Sequence, residues 1–267
     1  KLGSQDVYLD PASPQYPYGL IPWYENAVQG LRVAKDGGVF ISVPPDDDSR
    51  AEILRHANFR LSPDGSLSGT LTVDYVGQEG AVWRSEDRND DGTGRRKDLH
   101  DQIKGWLPSN ATFTITKLAD WDDNSKPLHI EGTVQIPSDN TGTLGRIILP
   151  MSLIQSQVVR SFTAQQRVHD VYFHFPYQEQ DDTSIQLPLG YKVESFPKVQ
   201  SVPGGAIQYS INGNTQGGTV HLTRKLIVNG IDFPVKYYQT VRTIFDVVKT
   251  GDANDMVLEA STSASGN

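Results

Sequence analysis

AEILRHANFRL (Ala51–Leu61), SPDG (Ser62–Gly65) and SLSGTLTVDYVG (Ser66–Gly77) follow one another in the sequence. Apolar side chains recur at every second position of the outer two runs, the period of a half-buried strand. Pro-Asp-Gly between them is turn chemistry: proline presets φ, aspartate bonds its own backbone and glycine accepts a left-handed conformation. The stretch therefore reads as a β-hairpin, and it sets the class of the whole chain.

Working outward, ATFTITKLA (111–119) and LHIEGTVQI (128–136) read as two further strands around the loop DWDDNSKP. Before them, Leu99, Ile103, Trp106 and Leu107 share one helical face, and Pro108 stops the run. VHDVYFHFPY (168–177) reads as a strand, and SIQLPLGYKVESFP as two short strands bent at Pro188-Leu189-Gly190. AIQYSI and TVHLTRKLIV flank NGNTQGG, a glycine-rich hairpin loop. Tyr238, Val241, Phe245 and Val248 mark an amphipathic helix before a last strand, MVLEA. Upstream, Pro11, Pro14, Pro17 and Pro22 are too closely spaced for a helix or a central strand. VFISVPP (39–45) reads as one strand, and Asp46, Asp47 and Asp48 as a solvated linker.

The expected fold is mainly β (α+β). Two β-sandwich-like modules, 49–155 and 156–260, each carry one short helix. They follow an irregular Pro/Tyr-rich segment, 1–48, and precede a disordered tail, 261–267.

Composition narrows the chemistry. The 267 residues hold 24 Lys plus Arg against 32 Asp plus Glu, a net charge of −8. An acidic chain without a basic tract is a poor binder of phosphate backbones, so nucleic acid is not an expected partner. No apolar run approaches the ~18 residues of a membrane span. The absence of cysteine removes disulfides, cysteine zinc sites and a thiol nucleophile. Gly-rich phosphate loops, HExxH, GxSxG and GxGxxG are all missing. Lys1 stands where Met would, and the natural product is expected to begin upstream.

Few constellations remain. His56, His100, His129, His169, His174 and His221 are scattered, and alternation sends His169 and His174 to opposite sides of a strand. The pairs Asp90-Asp91, Asp122-Asp123 and Asp181-Asp182 read as solvated turn acids, since glycosidase chemistry needs two carboxylates set apart. Asp87, Asn89, Asp91 and Asp98, with Gly92 at the turn, match the ligand spacing of a twelve-residue calcium loop. Against that stand Gly94 at the position of an apolar residue, an Asp in place of the bidentate Glu, and Arg95, Arg96 and Lys97 inside the loop. The other reading is a solvated insertion before a helix. Calcium is thus the one cofactor to test. Tyr16, Tyr18, Trp23 and Tyr24 are either a binding platform or the packing of an irregular segment.

VYLDPASPQYPYGLIPWYENAVQGLRV resembles the end of a bacterial transglutaminase-like (papain-like) core, in which a strand ending in Leu-Asp-Pro carries the triad Asp. RLSPDGSLSGTLTVDYVGQEGAVWR and VYFHFPYQEQDDTSIQLPLGYKVESFP resemble the β-rich regions that follow such cores in large bacterial envelope proteins. The resemblance implies that Asp10 matches the triad Asp, while the family's Cys and His have no counterpart here. It implies no catalysis by this chain and a periplasmic or extracellular address. The expected role is that of accessory domains whose partner is the remainder of their own polypeptide, with an envelope protein or a glycan as further partners. The alternative is a stand-alone glycan- or protein-binding β module.

Overall fold

The computed structural model describes residues 6–35, 37–138, 145–154 and 162–261. Among these, fifteen strands and three α-helices form. The hairpin read from the sequence is β3 (Ala51–Leu61) and β4 (Leu67–Gly77), paired from Ala51 opposite Gly77 to Leu61 opposite Leu67. Its alternation becomes burial: Ala51, Ile53, Arg55, Ala57, Phe59 and Leu61 point inward, and the residues that alternate with them face outward.

Around this hairpin an eight-stranded sheet assembles. β4 pairs with β6 (Leu128–Ile136), and β6 with β5 (Thr112–Ala119) at the edge. On the other side β3 pairs in parallel with β9 (Tyr177–Gln186), which continues antiparallel to β13 (Thr219–Val228), β12 (Ile207–Gln216) and the short β11 (Ser201–Val202). The chain is mainly β, as alternation and composition indicated. Strands expected of two separate sandwiches nevertheless share one sheet, because the β3–β9 ladder satisfies backbone groups that both hairpins would otherwise leave at open edges.

One hydrophobic core covers the inner face. α2 (Gly92–Trp106) contributes Leu99, Ile103 and Trp106, and α3 (Tyr238–Ala253) contributes Tyr238, Val241, Phe245 and Val248, the apolar faces read from the sequence. β7 (Arg146–Pro150), β15 (Asp255–Ala260) and β10 (Tyr191–Ser195) form a three-stranded sheet, and Ile147, Leu149, Met256 and Leu258 join the same core.

Several elements depart from expectation. α1 (Gln78–Glu86) carries no apolar period, since the face it buries is Gln78, Gly80, Ala81 and Arg84. Residues 168–177 form only β8 (Val171–Tyr172), paired with β14 (Asp232–Phe233), before β9 begins. Phe173 lies against Phe162, Tyr177, Phe233 and Phe245, and this aromatic cluster overrides strict alternation. NGNTQGG is mostly strand, and only Gly217-Gly218 turn, both at positive φ as a two-residue hairpin requires. The segment 1–48 is not irregular throughout, because β1 (Gln29–Ala34) and β2 (Gly37–Ser42) form a ribbon with Leu31, Val33, Val39 and Phe40 exposed. Of the tail expected to be disordered, 262–267 lie outside the described residues, as does the boundary drawn at 155/156.

A shared sheet makes a clear thermodynamic demand. All four tryptophans (23, 83, 106 and 121) precede residue 155, while fully buried Leu226 lies on β13. Leu226→Ala is expected to cost about 2–5 kcal/mol. Tryptophan fluorescence and far-UV circular dichroism should report that loss at one common denaturation midpoint. A tryptophan transition that stays in place while the dichroism splits would mean two independently folding units.

Candidate functional site

Among the described residues, polar side chains gather in three places and, beyond these, in an acidic loop. The first is inside the core. β9 reads YQEQDDTSIQ, an unpromising central strand, yet Glu179 and Asp181 face inward and are buried. Asp181 is in register with Arg55 on β3 and with Arg224 on β13. Arg55 donates from Nε to Asp181 Oδ1 at 2.6 Å and from Nη2 to Glu179 Oε2 at 2.9 Å. Arg224 donates from Nη1 to Glu179 Oε2 at 2.9 Å and from Nε to Asp252 Oδ1 at 2.8 Å. Tyr209 OH completes the set, also on Asp252 Oδ1 at 2.8 Å. Gly251 permits this last contact, since a Cβ there would run into the Tyr209 ring and hydroxyl.

Burial works against the charge of both guanidiniums, but the carboxylates around them hold Arg55 and Arg224 above their ordinary pKa. Asp252 is pushed up by burial, which Arg224 only partly offsets. Trp106 lies under the Arg55 guanidinium at 4.7 Å. The pair Asp181-Asp182, read as a solvated turn, is therefore split: Asp181 is a buried ion partner and only Asp182 is exposed. Nearby, Glu79 at the start of α1 is pushed up to about 8 by burial, with Glu179 adding to the rise and Arg55 opposing it.

The second place is the outer face of the same strands. A depression of 420 Å³ is lined by Glu52, His56, Gln180, Asp182, Thr223 and Lys225, among others. A second of 470 Å³ lies beside Asn58, Arg60, Ser68, Ser184, Gln186 and Thr219. His129 bridges Asp74 at 2.7 Å and Glu131 at 3.0 Å. Burial opposes its charge, but those two hydrogen bonds prevail and raise its pKa. Ser184 Oγ lies 3.1 Å from His221 Nδ1. Three of the scattered histidines thus share one sheet face. The other three do not: His100 contacts Asp101 and the Phe113 carbonyl, His174 stacks on Trp23, and His169 is exposed in a loop.

The third place is the junction of the Pro/Tyr-rich segment with α1. Prolines deprive this segment of ladder hydrogen bonds, and side chains from elsewhere satisfy its carbonyls instead. Gln78 Nε2 donates to Ile21 O at 2.7 Å and to Asp46 Oδ2 at 3.0 Å. Asn26 Nδ2 donates to the same two acceptors. Arg50 reaches Gly19 O, and Asn124 donates to the carbonyls of Pro14 and Tyr16. Tyr16 and Leu20 form a small core with Ala81, and Trp23 stacks on His174 with centroids 4.1 Å apart. Of the four aromatics singled out, Tyr16 and Trp23 pack while Tyr18 and Tyr24 are exposed. Asp46, expected in a solvated linker, is the acceptor that closes the junction.

Asp10 lies in this segment, outside any strand. Its Oδ1 accepts from Ala12 N at 2.9 Å, and bonds from Ser13 and Ala12 lower its pKa. In the acidic loop, Asp87 and Asp98 come together with Asp90. Asn89 is exposed, and Asp91 is the N-cap of α2, accepting from Thr93 N and Gly94 N. Asp87 is pushed up by burial, with Asp98, Asp90 and Glu86 adding to the rise.

Residues 145–258 match a domain of unknown function with a solved structure, designated DUF3858. The matched stretch runs from β7 into β15 and includes half of the large sheet. No curated protein matches the chain. Among solved structures, one described as a "putative protease" from Parabacteroides distasonis ATCC 8503 is similar, with 15% identity and a TM-score of 0.37. The similarity covers 43% of this chain and 23% of that one.

The buried ions generate two expectations. Arg224→Met takes one of two donors from Glu179 and from Asp252, leaving them Arg55 and Tyr209 and one buried cation fewer, and should cost about 3–5 kcal/mol in a denaturant titration. The folded state holds the Glu79 proton up to pH about 8, against an ordinary value of 4.5. Stability contributed by the neutral form is therefore lost as pH rises between those values. Glu79→Gln should flatten that loss by an amount on the order of a few kcal/mol, read from unfolding midpoints at pH 5 and pH 8.5.

Proposed function

We propose that the chain is a non-catalytic accessory β module of a larger secreted or periplasmic transglutaminase-like protein, holding the core by the segment that leads out of it. The observation that carries this reading is the fastening of residues 14–26. They are tied to α1, to the 120–126 loop and, through His174, to the second half of the chain. A tether that only linked two bodies needs no such ties. A mount does, because every bond that fixes the segment's direction also fixes what the segment is attached to. The lack of cysteine in the sequence supports the non-catalytic side of the reading, since the resembled family's acyl transfer starts from a thiolate. Within this chain the Asp10 carboxylate accepts from the Ala12 backbone N–H.

A second reading rests on the outer sheet face. Its two depressions set hydrogen-bonding side chains beside apolar surface, a mix that suits a sugar and would make the module a glycan binder. Titration with soluble oligosaccharides should then move the imidazole resonances of His56 and His221 saturably. Unmoved resonances would leave the accessory reading alone.

The accessory reading predicts a native polypeptide much longer than 267 residues. Peptide mapping of the source organism's protein should find a Cys and a His upstream of Asp10. In that protein Asp46→Ala combined with Gln78→Ala should expose residues 14–26 to limited proteolysis while the sheet's unfolding midpoint stays in place. A native mass no greater than that of 267 residues, or peptide hydrolysis by this chain alone, would overturn the reading.

A further inference from the structure

We propose that Asp87, Asp90 and Asp98 bind a calcium ion at the junction of α1 and α2. One carboxylate oxygen from each lies within 4.8 Å of the others. That is about twice the 2.3–2.6 Å calcium–oxygen distance, the span over which a single ion touches all three. A separate observation points to the ion. Asp87 is only 9% exposed, and its Oδ2 is buried with no hydrogen-bond donor in the protein. A buried carboxylate oxygen without a donor is costly, and more so beside two other carboxylates.

Neighbouring cations supply that oxygen no hydrogen bond. Arg95, the nearest cation on α2, gives its Nε to the Asp87 carbonyl and its Nη2 to the Arg88 carbonyl. Its guanidinium lies over the Trp121 ring at 4.7 Å. Lys97 stands 3.8 Å from Asp98 but places its hydrogen bond on Asp101 at 2.8 Å.

Of these ligands, loop spacing selects Asp87 and Asp98 but not Asp90. Asp91 is occupied in capping α2 and Asn89 is exposed, so the site is built across the helix junction by Asp87, Asp90 and Asp98. Asp90 is exposed and Asp98 half-exposed, which leaves the remaining positions to water, as a hard, flexible cation accepts. Three ligands with an open side fit the affinity range of extracellular calcium modules, about 10⁻⁴–10⁻³ M.

Thermal unfolding of the 267-residue protein provides the test. Calcium at 10 mM should raise Tm by roughly 3–10 °C over the protein in EDTA. Potassium chloride at matched ionic strength should leave Tm unchanged, and magnesium should shift it less. Asp87→Asn should abolish the calcium shift and raise Tm in EDTA, because it removes the crowded charge. Should that buried variant fail to fold, exposed Asp90→Asn should abolish most of the shift. Terbium luminescence, competed away by calcium, reads the same site directly. No calcium shift, an equal shift with potassium or magnesium, or a shift retained in both Asp90→Asn and Asp98→Asn would overturn the assignment.

Discussion

Asp181 stands between two arginines in the middle of a sheet, with Arg55 in register on one side and Arg224 on the other. All three are buried, and so are the further partners Glu179 and Asp252. Removing this many charges from water is tolerable only when each finds its opposite at hydrogen-bond distance. The condition fixes register, because a slip of one residue between β3 and β9 would turn Arg55 outward and leave Asp181 buried with half its partners. It also fixes topology. β3 belongs to the first hairpin and β9 to the later part of the chain, so the ion network commits the two to one sheet. α3 is brought in the same way, as Asp252 near its end must reach Arg224 and Tyr209.

That commitment separates the two faces of the sheet by function. Inward charges are consumed by one another and by the architecture. Outward, His56, Asp182, Ser184 and His221 keep exposed or half-exposed polar groups on the same strands. The Pro/Tyr-rich segment lies apart from both and is fastened to α1 by Gln78, Asn26 and Asp46. Polar side chains thus differ by place: buried ones lock the sheet, junction ones hold an irregular segment, and outer-face ones stay in contact with solvent.

The same division explains what could be read beforehand. The 51–77 hairpin and the buried faces of α2 and α3 were legible because apolar side chains at a fixed period announce which side is wet. β9 was not legible as a central strand, because Glu179 and Asp181 carry the signature of a loop until their arginines are known. α1 was missed for the same reason, since it buries Gln78 and Arg84. At the acidic loop, spacing drew attention to Asp87 and Asp98. It also named Asp91, which caps a helix, and passed over Asp90, which the turn at the end of α1 swings back toward them.

By itself the sequence determined that the chain is mainly β, that it has no thiol chemistry of its own, and where its regular amphipathic elements fall. These are properties of composition and of neighbours two to four residues apart. Tertiary structure alone decided that 51–136 and 177–228 form one sheet, that Asp181 is an ion partner, and that Asp46 clasps the upstream segment. The reason is physical: a charge is acceptable inside a protein only through its partner. Arg55 and Asp181 are 126 residues apart along the chain, so no local pattern can announce the pairing.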